Sequence, residues 1–220
     1  MPNAKKISIL SPASPKILPW LDQWHDAAAD EVEITDCVVG GKDFSTVKRL
    51  EAEGCRLAGT RFAGAKLDKF QLSDTILDRI DAVGLCTSEA AFVRIVCAGS
   101  RLTGADFAES LFEDCVFENV KLDEAGLRFA TLKRVRFEGC VLRNTDFSGA
   151  KLSQVSFSGC ELDGANFDNV VCKAVNLHGQ NLANVKGVFG LKGATISDEQ
   201  LIQLAPLLAA EAGLDIDNKT

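Results

Sequence analysis

The chain has 220 residues, 46% apolar and 25% charged, enough for one good-sized domain with a large buried core. Its net charge of −7, from 24 basic and 31 acidic residues, argues against general nucleic-acid affinity, which needs a basic surface to displace counterions. No apolar run reaches the roughly 18 residues needed to cross a bilayer, so no membrane span is expected.

Residues 1–30 begin "MPNAKKISILSPASPKILPW", a short apolar patch broken by Pro12 and Pro15. A secretory signal needs an unbroken apolar stretch, so none is read here. Trp20 and Trp24 stand four apart on an expected short helix. Two indoles are costly to leave in water, which makes this segment an expected lid on the first coil of the chain.

From about residue 31 the apolar pattern changes period. Ile34, Val39 and Phe44 step by five, with Val32 and Cys37 two residues before the first two of them. Between Phe44 and Leu57 the count is 13, which is not a multiple of five. A bulge or projecting loop is therefore expected in 45–54.

Counting in fives from Leu57 to Leu182 gives 26 positions, and 22 of them are Leu or Phe; the exceptions are Ala82, Thr87, Cys97 and Cys172. Leu and Phe are 38 of the 220 residues, so chance would place only about four or five there. Two residues before each large one, 21 of the 26 sites hold Ala, Cys, Ser, Thr or Val. Two residues after, Gly stands ten times and Asn four times. A helix repeats at three and four, a strand at two; a step of five is neither. Gly and Asn accept the positive φ of a tight turn, so each unit reads as a short extended piece and a corner. Such units stack into a solenoid with parallel ladders and a continuous core. Around 80–90 the phase survives but the residue types fit badly, and a weakly packed coil is expected.

The cysteines follow the same frame. Cys55, Cys115, Cys140 and Cys160 take the small inward position, as Cys37 does in the early register; Cys97 and Cys172 take the large one, and only Cys86 faces outward. Unpaired buried thiols behave as small hydrophobes and imply a reducing, cytoplasmic setting. No CxxC or His–Cys spacing suits a metal. The two histidines, His25 and His178, stand near no plausible nucleophile, and no phosphate loop is present. No catalytic, cofactor-binding or metal residue is nominated, and an enzyme is not expected.

At the C-terminus, "ISDEQLIQLAPLLAAEAGL" predicts a helix capped by Ser197 with Gln200, stopped at Gly213 and kinked at Pro206. Leu201, Leu204, Leu208 and Ala212 share one face of it. That face either covers the last coil or forms a homodimer interface.

The unit small-x-[Leu/Phe]-x-x, in "ADFAE", "TDFSG", "AKLSQ" and "ANFDN", resembles the pentapeptide repeat family over residues 55–184. The resemblance implies an all-β fold: a right-handed quadrilateral parallel β-helix with four repeats per coil, joined here to a short C-terminal α-helix. The expected layout is a cap segment at 1–30, the β-helix at 31–190 with irregularities at 45–54 and 80–90, and a helical cap or dimerisation segment at 191–220. The C-terminal tail is also similar to that of a bacterial subgroup whose fluoroquinolone-resistance members dimerise through it. Some members, the Qnr and mycobacterial resistance groups among them, resemble B-DNA in size and charge. They bind DNA gyrase or topoisomerase IV and protect it from quinolones or other poisons. The resemblance thus implies a type II topoisomerase as protein partner, with no direct nucleic-acid contact. The alternative is an interaction scaffold with an unrelated partner.

With four repeats per coil, residues 20 apart share a face. The face of Leu67, Thr87, Phe107, Leu127, Phe147 and Phe167 carries Asp68, Glu89, Asp106, Glu109, Asp146 and Asp168 against Lys66, Lys69 and Arg128, a net −3. These six acids are the candidate partner-binding residues. The face from Leu72 to Cys172 comes to +2. Charge is also banded along the axis, acidic from Asp106 to Glu124 and basic from Arg128 to Arg143.

Overall fold

A computed structural model describes residues 30–87 and 89–215; the expected Trp20–Trp24 lid lies outside the described residues. Every fifth residue from Asp74 to Gly179 has a positive φ, as at Gly104 (65°) and Asn119 (53°). Four such corners complete one turn of the chain, so residues 20 apart become parallel neighbours: Val96 pairs with Val116, Phe117 with Phe137 and Leu152 with Cys172. Sides without regular strands continue the ladder through single bridges, Arg101 to Lys121 to Val141. The result is a four-sided parallel β-solenoid of about 8 turns. At a strand spacing of about 4.8 Å it is a rod of roughly 38 Å.

Large inward side chains stack along the axis. The rings of Phe117, Phe137 and Phe157 lie 5.1 Å apart in succession, and those of Phe147 and Phe167 lie 5.2 Å apart and nearly parallel. The void among Phe107, Phe112, Phe117 and Phe137 is about 10 Å³. A dry apolar gap at the size of one water is a packed core and not a binding cavity. The small inward position explains itself at the corners. Ser100 Oγ accepts from the Ile80 N–H at 3.1 Å and donates to the Ala98 carbonyl at 2.9 Å, and Ser110 serves the Ala90 N–H in the same way. A hydroxyl there is short enough to stay inside and satisfies backbone groups that water cannot reach.

Residues 45–54 do not form a projecting loop. The first turn pairs with the second at a separation of 18: Glu31 with Arg49, Val38 with Arg56, Asp43 with Arg61. The odd count of 13 reflects a turn two residues short, because Lys48 alone stands where Lys66, Leu67 and Asp68 form a side one turn later. Residues Arg49–Glu53 are a strand, with Leu50 and Ala52 buried.

The 80–90 coil is fully packed. Ile80 and Leu85 fill the normally small positions while Ala82 and Thr87 take the large ones, and all four are buried. Exchange of large and small within each unit conserves volume, which the five-residue count alone does not reveal.

At the C-terminal end a 3-10 helix, Val188–Leu191, and a short strand, Ala194–Thr195, lead to helix α1, Asp198–Glu211. The Ser197–Gln200 capping box is formed, and Gly213 follows with φ 72°. Gln200 also closes the core: its buried Nε2 donates to the carbonyls of Leu177 and Gln180, each at 2.7 Å. The open end of a parallel solenoid exposes unpaired groups, and α1 supplies partners for them.

Candidate interaction surface

Because the interior is filled, whatever this molecule does it does with its outer side chains. On the face from Leu72 to Cys172 every acid is paired with a base one turn on, and Lys151 and Lys173 keep the face net positive. Arg94 is bidentate to Asp74, with Nε to Oδ1 at 2.6 Å; Arg134 grips Asp114 through two 2.6 Å bonds and reaches Glu113 at 2.6 Å; Lys133 also reaches Glu113 at 2.6 Å. These guanidinium and ammonium groups hold the carboxyls of Asp74 and Glu113 below their ordinary values. For Glu113 and Asp114 the axial banding of charge is the cause, since their acidic turn lies directly below the basic one of Lys133 and Arg134; Asp74 and Arg94 meet at the same separation of 20 outside those bands.

The six candidate acids are distributed differently. Asp106, Asp146 and the positions between them form one column, Cys86–Asp106–Gly126–Asp146–Asn166–Lys186. Asp106 and Asp146 turn their Oδ1 atoms back onto the N–H of Ala108 (3.1 Å) and Ser148 (3.0 Å), and Asp146 also accepts from Asn166 Nδ2. Asp106 meets Arg128 at 3.5 Å. Those two are half-buried corner residues. Asp68, Glu89, Glu109 and Asp168 are exposed, and none makes an ion pair with a described residue.

The helix residues separate as well. Leu204 is buried and Leu208 half-buried against the last coil, whereas Leu201 and Ala212 face solvent. Ile202, 74% exposed, joins Leu201 on the outward side.

Two features have no counterpart in the sequence pattern. One is a shallow concavity of about 360 Å³ on the N-terminal sheet, lined by Glu33, Glu51, Glu53, Ser73, Ala91 and Val93. With the 18-residue first turn, Glu33 stands directly against Glu51, a stacking that a uniform 20-residue frame hides. It holds the carboxylates of Glu33, Glu51 and Glu53 and the hydroxyls of Thr35 and Ser73. The other is Phe129, exposed at a corner with φ 58°.

Two of the buried thiols are kept protonated by their position. Burial pushes Cys97 and Cys115 up to about 12, and a protonated thiol is a poor nucleophile. Among the described residues no group of His, Cys, Asp or Glu has metal-binding geometry, and no helix is long and apolar enough to cross a membrane.

A family profile described as a pentapeptide repeat region matches residues 90–167. The chain carries a pentapeptide repeat region. The 20-residue ladder of that region continues without a break in register back to Lys48. No curated protein matches the sequence. Similar solved structures include a trypsin-treated form of QnrB1, a plasmid-mediated fluoroquinolone resistance protein, at 21% identity over 86% of this chain and 98% of that one, with a TM-score of 0.35. HetL, a pentapeptide repeat protein involved in heterocyst differentiation regulation in the cyanobacterium Nostoc, shares 21% identity over 78% of this chain and 93% of its own, TM-score 0.34. A pentapeptide repeat protein of the Arabidopsis thaliana thylakoid lumen shares 23% over 61% and 67%, TM-score 0.34.

Proposed function

We propose that this pentapeptide repeat solenoid is a non-catalytic interaction protein that engages a basic DNA-binding surface of DNA gyrase or topoisomerase IV and shields the enzyme from quinolones or toxins. The observation that carries the reading is the asymmetry of charge pairing. On the Leu72–Cys172 face each of the acids Asp74, Glu113 and Asp114 is held by a base of the following turn, and the face is left net positive. On the Leu67–Phe167 face Asp68, Glu89, Glu109 and Asp168 point to solvent without ion-pair partners among the described residues. Unpaired charges of one sign on one side steer a partner of the opposite sign. Duplex DNA carries one charge per roughly 1.7 Å of axis, far more than this rod, so the mimicry is of one stripe and not of a whole duplex.

The test is supercoiling by purified gyrase with the full chain added, with and without a fluoroquinolone. Inhibition of supercoiling or protection from the drug is expected, and Asp68→Lys with Glu109→Lys should reduce it. No inhibition, no protection and no binding at micromolar protein would remove the topoisomerase reading and leave the scaffold reading. The outward Leu201–Ile202 edge of α1 is the proposed homodimer contact. Leu201→Asp should then give monomers in sedimentation, and an unchanged sedimentation coefficient would discard it.

A further inference from the structure

Cys37 and Cys55 hold the same small inward position in the first and second turns. They stand beside the ladder pair Val38 and Arg56, and the Arg56 N–H donates to the Cys37 carbonyl at 2.9 Å. Their sulfurs are in contact, Sγ to Sγ at 3.5 Å, and both side chains are buried. Ladder neighbours stand about 4.8 Å apart, inside the roughly 4.4–6.8 Å that a disulfide spans between Cα atoms. Closing the remaining gap takes side-chain rotation and leaves the ladder in place.

The position of this pair in the rod sets it apart. Among the described residues Glu31–Thr35 pairs only with Arg49–Glu53, and Val38–Gly40 only with Arg56–Ala58, so the first turn is held from one side. Each repeat of a solenoid is stabilised by its neighbours, and an end repeat opens more readily than an inner one. Cys140 and Cys160 are stacked in the same way but lie inside the rod. The Val120 carbonyl accepts from Val141 on one side of them, and Gln180 Oε1 accepts from the Cys160 N–H on the other. In the closed first turn burial, and then the contact with Cys55, pushes the Cys37 thiol up to about 12. A thiol held protonated is a poor nucleophile, so reaction belongs to molecules whose first turn has opened.

We propose that Cys37 and Cys55 are a reversible redox staple, a dithiol that a peroxide converts to a disulfide closing the first turn into a covalent ring. In the opened turn one thiolate attacks a peroxide oxygen. The O–O bond breaks, hydroxide leaves and is protonated to water, and a sulfenic acid remains. On reclosure the second sulfur attacks the first, the S–O bond breaks, and the oxygen departs as water with the second thiol's proton. The two sulfurs lose two electrons, hydrogen peroxide gains them, and two waters form. An external thiol reverses the bond through a mixed disulfide. The staple acts on the end of the rod and does not depend on which partner the outer faces engage.

The test uses the full chain carrying Cys86→Ser, which removes the exposed cysteine. The folded protein is treated with hydrogen peroxide, then unfolded, alkylated, digested with trypsin and weighed without reduction. The expected product is peptide 17–42 joined to peptide 50–56 with the loss of two hydrogens, while Cys140 and Cys160 remain alkylated. Hydrogen exchange reads the consequence. The N–H groups of Gly41, Phe44 and Arg56 bond between the first and second turns, and they should exchange about tenfold or more slowly than in the reduced chain. Dithiothreitol should restore the faster exchange, and Cys55→Ala should show neither the joined peptides nor the slowing. Absence of the joined peptides would overturn the proposal, as would their formation without slower exchange. Slowing that persists in Cys55→Ala, or equal linkage of Cys140 to Cys160, would overturn it as well.

Discussion

Thr87 sits in a large inward position, 2% exposed, and its Oγ1 has no hydrogen-bond partner among the described residues. Leu85, two residues earlier, supplies the volume that Thr87 lacks. Thr87→Leu alone should overfill the turn and cost about 1–3 kcal/mol. Leu85→Ala alone should empty it and cost about 2–5 kcal/mol. Together they restore the usual order of small then large and remove the unsatisfied hydroxyl. The double variant should therefore melt near the wild type, and strict additivity in chemical denaturation would contradict the exchange. Asp114 makes the opposite point about polar groups. Its side chain is 3% exposed and carries two bonds from Arg134. Arg134→Ala removes both of these bonds from a buried carboxylate and should cost on the order of 2–3 kcal/mol, somewhat below a fully buried pair because Arg134 is partly exposed. Both roles escape the sequence. Thr87 and Arg134 sit at their expected places in the count, but their meaning depends on what stands beside them 2 and 20 residues away.

The ion-pair columns give the stacked strands a pH dependence of known sign. The carboxyls of Asp74, Asp78 and Glu113 are held below their ordinary values, first by hydrogen bonds from Arg94, Arg56 and Lys133 respectively. A carboxyl whose folded value is depressed stabilises the fold above its unfolded value, and that contribution fades as pH falls through the folded value. Melting temperature should be flat from about pH 8 to 6 and fall below about pH 4. Arg94→Gln should shrink the part of the fall that depends on Asp74, and a melting temperature rising on acidification would be inconsistent with this account. The helical cap is a separate element with its own readout. Leu204 lies against the core while Leu201 points outward, so Leu204→Asp should lower the melting temperature at every protein concentration, whereas Leu201→Asp should change only its concentration dependence. The shared face expected from helical spacing alone divides here. The i, i+3, i+4 rule places residues around a helix but does not say which arc of a short apolar helix meets the core.

At the scale of the molecule, one number carries most of the architecture. A step of five with Gly or Asn two residues on implies corners, corners imply a closed turn, and a closed turn brings residues 20 apart together. Phe137 above Phe117 and the inward cysteines are legible for that reason. The first turn is not, because a missing pair of residues and an inserted loop both disturb the count, and only the pairing of Glu31 with Arg49 distinguishes them. The surface is the least legible part. Adding charges face by face treats Asp106 and Asp168 alike, although Asp106 is turned onto Ala108 and Arg128 while Asp168 remains exposed and without an ion pair to a described residue. Solvent-facing positions are under no packing constraint, so their type says little until their neighbours are known.

Affinity of the full chain for gyrase holoenzyme, titrated against salt, bears most directly on the central claim. If unpaired acids on one face meet a basic groove, binding should weaken steeply between about 50 and 300 mM salt, since Debye screening at 0.1 M acts within about 10 Å. Triple replacement of Asp68, Glu109 and Asp168 by Lys should abolish that dependence along with most of the affinity, while Arg94→Gln on the Leu72–Cys172 face should leave it unchanged. Binding that ignores salt and survives the triple replacement would contradict the account.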